Sequence, residues 1–524
     1  MAECFRSDCT TPLIHLPVGG CSTAPELTTK TIHLEARMRE LANSRQSINR
    51  LPCEVLAHIF VLCKRTKSRK QGHPDIFCLT SLPSICRHWR KVALDTKLLW
   101  SLITLSERPP FHFSALCLDR SGMTTPLDIE IRLSINLLCT QTKRDLNATH
   151  TLLDGFNFIV AHGGATFRWR SFWLYTPASV RIESHITALD FIGKYPMPSL
   201  ERLEVKDDGL RYEGAEEHRR LGEILHNRAL VYNPPPTRLK FVTLEWIPNS
   251  YPFASLGRPH LVGLTRLEIS FSITLPKLEH INALLAANLT LRALSIDTRL
   301  FYYILPDDSK HTELAHLPRI KLPNLKALAL SFSTRSHDLW WEQCLLRMLD
   351  APKVGALRLR LQMPRSRPAG IRDFVDCLTK GADLSNLKPL FPSLTGLELL
   401  ARRRARTSPF IDSFDKELLA AYPTITTLVL PHRSQSTMLN IQPWLVPRLN
   451  RLLIHVDSAA ELKQIIGERC KAGLGPNIVE VPSTGVSYTE WVQSASQELD
   501  GLGVDVRASY SSRRVREVLG FEEP

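Results

Sequence analysis

The sequence predicts an α/β protein in which a small helical module precedes a long, irregular solenoid of parallel strands with helical or loop returns. The hydrophobic spacing L-x-x-L-x-L occurs nine times between residues 200 and 454, at intervals of about 23 to 41 residues. Repeats of that length stack their strands side by side. Six copies also carry a proline two residues before the first apolar position. A dense set of large apolar residues between 51 and 100 predicts the helical module.

Length and composition fit this division. The 524 residues are enough for a solenoid and a small module, and 44% hydrophobic with 23% charged residues is typical of a folded chain. No stretch approaches the roughly 18 apolar residues that span a bilayer. Arg6, Asp8 and Pro12 occupy the place where a signal peptide needs its apolar region. Twelve scattered cysteines without a C-x-x-C pair also suit a reducing compartment. We therefore expect a cytoplasmic or nuclear protein that does not cross a membrane.

The formal charge of +14 raises the question of a nucleic-acid partner. Much of the excess lies in two short clusters, Lys64–Lys70 and Arg402–Arg406, which fall between apolar segments. Solvated loop charge is the simplest interpretation of such clusters. A nuclear localisation signal and a phosphate-binding patch are the alternatives.

The chain before the module predicts one helix. Residues 1–25 show no periodicity and are expected to be loose. Residues 26–45 place Leu34, Met38 and Leu41 on one helical stripe. We expect this helix to pack on its own protein, although a docking or coiled-coil role is an alternative.

The module itself, residues 46–104, predicts three short helices. Pro52 suits the first turn of a helix, because its missing N–H costs nothing there. A basic insert, 64–74, follows the first helix, and Pro83 predicts that the second is short or restarts at that point. A module of this size has too little interior to bury all its large apolar side chains. The surplus predicts a partner-binding surface.

These residues resemble a known family. Leu51-Pro52, Glu54-Val55-Leu56 and Ile59-Phe60, followed by Ile85-Cys86-Arg87, Trp89-Arg90, Val92-Ala93 and Leu98-Leu99-Trp100, resemble the F-box, a three-helix module that docks on the Skp adaptor of SCF ubiquitin ligases. With the preceding polar helix and the following repeats, the chain resembles the F-box-like family of mushroom-forming fungi. The resemblance implies binding to a Skp-type adaptor and, through it, to a cullin. The implied adaptor-binding residues are Leu51, Pro52, Val55, Leu56, Ile59, Phe60, Ile85, Cys86, Trp89 and Trp100.

Residues 105–457 are predicted to form the leucine-rich-repeat-like solenoid, degenerate before residue 195. We expect strands at 127–131 and 168–175 and a helix at 142–161. The arginines and aromatics of the second strand could stack on bases, but alternation around Trp169, Ser171 and Trp173 favours an early repeat with these residues facing a core. The L-x-x-L-x-L copies begin at Leu200, Phe241, Leu264, Leu291, Leu325, Val354, Leu394, Ile425 and Leu449.

Residues 458–524 are predicted to cap the open end of the solenoid. We expect helices at 459–472 and 487–500, with short strands at Ile478–Val481 and Val504–Val506.

Side chains alternate along a strand, so the positions between and just after the last two apolar anchors should face the opposite, concave side. These positions run from acidic in the first copies to basic and then to apolar. No basic stripe of the kind that binds phosphates is present, whereas a mixed face suits a protein or peptide partner. The arginine pair at 358 and 360 could hold a phosphate. The candidate substrate-binding residues are Glu268, Asp297, Arg358, Arg360, Leu400 and His455.

The sequence contains no catalytic motif. The nucleophile elbow G-x-S-x-G, the phosphate loop G-x-x-x-x-G-K-[ST] and the dinucleotide motif G-x-G-x-x-G are all missing. Cysteines and histidines are frequent between 53 and 88, but not in zinc-ligand pairs. Cys63 and Cys86 fall beside core positions and are expected to be buried thiols. We therefore expect no enzyme activity, no catalytic residue, no cofactor and no metal.

Together these observations favour the substrate-recognition subunit of an SCF-type ubiquitin ligase. The helical module would bind the adaptor and the repeats would bind an unidentified protein target. Two alternatives remain: a non-catalytic F-box scaffold outside ubiquitination, and a repeat protein that binds nucleic acid through its basic loops.

Overall fold

A computed structural model of the protein shows two units, residues 1–100 and 101–524. The division falls after Trp100, four residues before the predicted boundary at 104, because Leu102 already begins a strand. The structure describes residues 24–66, 76–105, 110–133, 141–176, 182–207, 236–247, 259–271, 275–298, 317–333, 339–362, 371–381, 388–402, 409–430, 439, 442–456, 458–482, 493, 495–499, 502–510 and 519–521.

The first unit is helical, as predicted. Its α-helices are α1 (Ala24–Arg45), α2 (Cys53–Thr66), α3 (Ile76–Ile85) and α4 (Arg87–Asp95), with 3₁₀ turns at Ser47–Arg50 and Lys97–Trp100. Pro83 lies in the last turn of α3, and α4 starts separately after Cys86. The second helix of the predicted module is therefore short, as the proline suggests.

Aromatic side chains join α2, α4 and the two 3₁₀ turns. Phe60 of α2 is fully buried and its ring lies 5.0 Å from that of Trp89 on α4. The Trp89 indole N–H donates to Asn49 Oδ1 at 2.6 Å, and that of Trp100 donates to the Ala93 carbonyl at 2.7 Å. Both indoles thus combine apolar contact with a satisfied donor, which defines their orientation.

The apolar stripe of α1 does not pack as predicted. Leu34 and Met38 are each 65% exposed, and Leu41 is also exposed. One described contact of α1 is polar, an ion pair of Glu40 with Arg87. The expectation that this helix packs its stripe on its own protein is therefore wrong.

The second unit is built on a parallel sheet. Its strands are β1 (Leu102–Leu105), β2 (Leu127–Arg132), β3 (Trp169–Thr176), β4 (Arg202–Asp207), β5 (Phe241–Ile247), β6 (Arg266–Phe271), β7 (Ala293–Thr298), β8 (Ile320–Lys321), β9 (Ala327–Ser333), β10 (Leu349–Asp350), β11 (Ala356–Gln362), β12 (Gly396–Arg402), β13 (Thr427–Leu430), β14 (Arg451–Ile454), β15 (Ile478–Pro482) and β16 (Asp505–Tyr510). Its helices are α5 (His112–Ser121), α6 (Gln141–Ala161), α7 (Ile182–Lys194), α8 (Leu278–Ala286), α9 (Trp340–Met348), α10 (Ile371–Lys380), α11 (Pro409–Ala421) and α12 (Ala459–Lys471).

Fourteen strands pair in sequence order in one sheet, and β8 and β10 form a separate parallel pair. Each of the nine L-x-x-L-x-L copies supplies one strand, the predicted strands at 127–131 and 168–175 are present, and β15 and β16 extend the sheet. A parallel sheet whose neighbours are consecutive repeats is compatible with a solenoid. The α/β class and its stacked strands are confirmed.

The recurring prolines have a structural reason. In each of the six turns, the backbone N–H of the first anchor donates to the carbonyl of the residue just before the proline, as Leu325 does to Leu322 at 3.2 Å and Leu394 to Phe391 at 3.1 Å. The proline is therefore the second residue of a tight turn, where its fixed φ is already correct. Because of this turn, each strand begins at the same position of its repeat.

The apolar anchors define one face of the sheet, which we call the anchor face. Leu328 and Leu330 of β9 and their equivalents on the neighbouring strands are almost fully buried. Helices cover this face: Phe374 of α10 packs its ring edge-on against Phe332 of β9 at 5.0 Å, and Phe156 of α6 lies 5.9 Å from Phe172 of β3. The core of the second unit therefore lies between the anchor face and these helices.

In two strands, β5 and β3, the buried positions differ from those predicted. In β5 the buried anchors are Leu239, Val242 and Leu244, whereas Phe241 is only half-buried. Trp246 then adopts a left-handed φ of 60°, where the pairing of β5 with β6 shifts. The predicted anchors of this copy, starting at Phe241, were wrong by two residues.

In β3 the pairing with β2 shifts beside Arg170, so strict alternation fails there. Trp169 and Phe172 are both fully buried, while Trp173 is only half-buried. The predicted grouping of Trp173 with Trp169 was therefore wrong, but the strand and its core role are present.

The C-terminal part also follows the prediction. The helix expected at 459–472 is α12, and Ser458 caps its first turn by accepting from the Glu461 N–H at 3.2 Å. Of the helix expected at 487–500, residues 493 and 495–498 are helical, and much of the remainder lies outside the described residues. Within the part of the chain that the structure describes, no helix is long and apolar enough to cross a membrane.

A charge in the stacked core should damage the second unit alone. Leu328→Asp places an unpaired carboxylate at a fully buried anchor, which costs several kcal/mol. We expect limited proteolysis of this variant to cleave the repeat unit and release an intact fragment that contains residues 48–100. Lys326→Asp, at an exposed position of the preceding turn, is the matched control and should resist cleavage like the wild type. Melting of the whole variant chain in one step would contradict the two-unit division.

A buried histidine should make the second unit sensitive to acid. His185 Nε2 on α7 is hydrogen-bonded to Thr176 Oγ1 at 2.7 Å. Burial lowers the pKa of His185 to about 4, against 6.5 in an unfolded chain. The unfolded state therefore takes up the proton first, and the free energy of unfolding should fall as pH drops from about 6.5 towards 4, by up to about 3 kcal/mol. Urea midpoints at several pH values should show a weaker decline in His185→Gln, whereas His162→Gln, at an exposed position, should leave the decline unchanged.

Candidate interaction surfaces

The first candidate surface is the apolar exterior of the helical unit. Val55 on α2 and Ile85 at the end of α3 are 44% and 54% exposed. Pro52 is exposed as well, and Leu51, Ile59, Cys86 and Trp89 are half-buried. Large apolar side chains left in water on so small a unit are typical of a partner-binding surface. Seven of the ten predicted adaptor-binding residues are thus accessible, at least in part.

The other three are not available to a partner. Leu56, Phe60 and Trp100 are all buried inside the helical unit. Leu56 and Phe60 lie on the face of α2 that forms the unit's own core, and Trp100 ends the 3₁₀ turn after α4. Their assignment as contact residues was therefore wrong, and their role is to hold the surface residues in place.

The cysteines of this region are not all buried thiols. Cys63 on α2 is exposed, and Cys86 is half-buried, where its sulfur caps α4 by accepting from the Trp89 N–H at 3.5 Å. The expectation of a buried Cys63 was wrong. Among the residues that the structure describes, no group of three His, Cys, Asp or Glu side chains could hold a metal ion.

The second candidate surface is the sheet face opposite the anchors, which we call the second face. Strand pairing sorts its side chains into rows that run across the sheet. One row brings together three predicted site residues, Asp297, Arg360 and Leu400, with Ser331 between the first two. Arg358 lies in the neighbouring row, as does Glu268. His455 is set apart, because it follows the last residue of β14.

Acids and bases alternate on much of the second face and neutralise one another. Glu268 pairs with Arg266 of the same strand, and Lys206 Nζ lies 2.6 Å from Glu204 Oε2. The further pairs are Arg132 with Glu130, Arg170 with Asp128, Arg451 with Glu480 and Arg507 with Asp505. The acidic and basic positions that the sequence predicts for this face therefore serve mostly as internal ion pairs.

Arg358 and Arg360 share one acid. Arg358 of β11 is buried against Glu398 of β12, and Arg360 Nη2 lies 3.6 Å from the other oxygen of the same carboxylate. Because Glu398 is almost fully buried, its charge needs these partners. The two arginines are thus already engaged within the protein. Their prediction as a phosphate-binding pair has no support in this geometry.

Next to this ion pair, the second face carries a row of small side chains, which we call the trough. Consecutive strands carry small residues at paired positions: Ala293 pairs with Ala327, Ala327 with Ala356, and Ala356 with Gly396. The trough also includes Ala329, and it is bounded by Val429 and Leu453.

The trough is filled by residues 519–521. Leu519 and Phe521 are almost fully buried and belong to one apolar cluster with the trough residues. Gly520 between them has a φ of +71°, a left-handed conformation that a side chain would strain. Contact is close, because a Cβ placed on Gly396 would lie 2.8 Å from Leu519 Cδ2.

Sequence analysis did not find this segment, although a signal was present. The position that precedes the second anchor is Ala or Gly in four copies, at 293, 327, 356 and 396, and bulky or charged in several others. Missing side-chain volume on consecutive strands implies that something else fills it, because protein interiors are close-packed. The apolar triplet at 519–521, outside any repeat, is the matching volume.

Comparison with protein-family models and with curated protein sequences finds no match to this chain.

The buried ion pair gives a test of the second face. Arg358→Met leaves the buried Glu398 with Arg360 as its one ion-pair partner, at 3.6 Å. We therefore expect a loss of about 3–5 kcal/mol in the free energy of unfolding. Adding Glu398→Met should recover most of that loss, because two apolar side chains can replace a buried ion pair of similar volume. Urea unfolding of the two single variants and the double variant measures the coupling. Additive losses would show that the two side chains do not depend on each other.

Proposed function

We propose that this protein is the substrate-recognition subunit of an SCF-type ubiquitin ligase. Its helical unit would dock on a Skp-type adaptor, and its repeat unit would bind a protein target. The observation that carries the proposal is the accessible apolar set on the helical unit, at positions where the sequence resembles an F-box. Val55 and Ile85 are large apolar side chains that remain exposed there.

The internal packing of the helical unit supports the same proposal. Phe60, Trp89 and Trp100 hold α2 and α4 in a fixed arrangement through ring contact and indole hydrogen bonds. A surface that is already ordered before binding loses less conformational entropy when the partner arrives. The unit can therefore present Leu51, Val55 and Ile85 as a formed docking site.

The proposed role involves no chemistry by this chain. A substrate receptor holds its target within reach of the ubiquitin-conjugating enzyme, so its contribution is proximity and orientation. The repeat unit suits that task, because a sheet of fourteen parallel strands is a long and rigid support.

The two other candidate functions have less support. A scaffold outside ubiquitination would use the same docking surface and differs only in what happens to the bound target. The nucleic-acid alternative relies on the basic loops, and residues 67–70 and 403–406 of these loops lie outside the described residues. On the second face, described arginines lie beside carboxylates, as Arg170 does with Asp128.

Adaptor binding should depend on Val55. Val55→Asp places a charge in the proposed docking site without touching the core, so the variant should fold normally and bind a purified Skp-type adaptor at least about tenfold more weakly. Val262→Asp is the matched control, because Val262 is equally exposed, at 45%, but lies in the repeat unit. Isothermal titration with the full-length chain measures both.

Two results would contradict the proposal. One is a wild-type affinity weaker than about 100 μM, which corresponds to a free energy of binding of only about −5.5 kcal/mol. The other is an equal effect of Val55→Asp and Val262→Asp, which would place the adaptor elsewhere. If adaptor and cullin bind but no co-purifying protein is ubiquitinated, the scaffold alternative is favoured.

A further inference from the structure

The trough on the second face and the segment that fills it suggest how the repeat unit selects a target. The trough is lined by Ala293, Ala327, Ala329, Ala356 and Gly396, and it holds Leu519 and Phe521. The lining comes from four strands, whereas the occupant, residues 519–521, comes from outside the repeats, after β16. A row of small residues on a rigid sheet, occupied by a short segment that belongs to no repeat, has the form of a peptide-binding site with its ligand attached.

We propose that this trough is a peptide-binding site, that residues 519–521 are its internal occupant, and that its external ligand is a short peptide segment in which leucine and an aromatic residue flank a glycine. This inference rests on the proposed function, in which the repeat unit binds the protein target. Binding of the external segment requires release of the internal one.

The shape of the trough accounts for the proposed preference for a ligand with leucine, glycine and an aromatic residue in that order. The small residues leave room for two large side chains, while Val429 and Leu453 close one side of the cluster with apolar surface. The glycine of the ligand is required by conformation, because Gly520 adopts a φ of +71° between the two buried side chains. A ligand with alanine at this position would have to adopt a strained backbone.

The internal occupant is suited to exchange. Leu519 and Phe521 anchor it in the trough through apolar contact alone among the described residues. A covalently attached segment competes through its high effective concentration rather than through strong contacts. An external peptide of the same chemistry therefore binds weakly to the complete chain and more tightly to a chain that lacks the segment.

The test uses a fluorescent peptide with the sequence of residues 515–524 and measures its binding by anisotropy. The peptide should bind a chain that ends at Val518 at least about tenfold more tightly than it binds the full-length chain. A control peptide with serine in place of Leu519 and Phe521 should bind neither chain. A second control peptide, carrying the equivalent of Gly520→Ala, should bind the shortened chain several-fold more weakly.

Two further variants keep the test valid if the shortened chain folds poorly. The full-length variant Leu519→Ser with Phe521→Ser should open the trough without shortening the chain. Adding Gly396→Val fills the trough where Leu519 lies, and should abolish peptide binding. Gly355→Val is the matched control, because a Cβ placed on Gly355 would lie 3.8 Å from its nearest neighbours, an ordinary contact distance. This variant should leave peptide binding intact. Circular dichroism confirms that each variant is folded.

The results separate this inference from the proposed function. Equal peptide binding to the full-length and shortened chains, or no binding to a folded shortened chain, would overturn the inference. Concentration-dependent dimers that disappear on shortening would also overturn it, because the occupant would then come from a second copy. Adaptor binding, measured on the same samples, should be unchanged in every variant, so its loss would count against the proposed function instead.

Discussion

The structure depends on one constraint: every repeat must enter the sheet at the same register. Parallel strands have no tight hairpin to fix their alignment, so each strand needs another device. Here the device is the pairing of a tight turn with a buried first anchor, as at Leu322–Leu325 and Phe391–Leu394. The turn sets where the strand begins, and the anchors set which face turns inward. Once both are fixed, fourteen strands of unequal spacing can pair in sequence order.

That register also determines what the second face can do. Because neighbouring strands from β6 to β12 align residue for residue, side chains at equivalent positions form rows, and the chemistry of a row changes from strand to strand. Charged positions such as Glu268 and Glu398 become paired and buried, while Ala293, Ala327, Ala356 and Gly396 become a trough. The properties of this face belong to the rows and cannot be assigned to any single repeat.

The sequence predicts the architecture well because its signal is redundant. Nine copies of one pattern establish the strands, and an error in one of them, such as the displaced anchors at Phe241, does not alter the whole. The site is predicted less well, because single positions have no such redundancy. Arg358 and Arg360 could be placed side by side from the sequence, but Glu398 comes from the next repeat and its burial depends on the fold. Likewise, nothing local indicates that residues 519–521 return to β12.

The proposed function divides two tasks between the units: the helical unit would dock the adaptor and the sheet would select the target. Hydrogen–deuterium exchange of the full-length chain, with and without a saturating Skp-type adaptor, tests it most directly, since exchange reports protection along the whole backbone. The account predicts added protection within residues 46–100, centred on α2 and the end of α3, and unchanged exchange in strands β4 to β14. Protection along those strands, or no change in residues 46–100 on saturation, would contradict it.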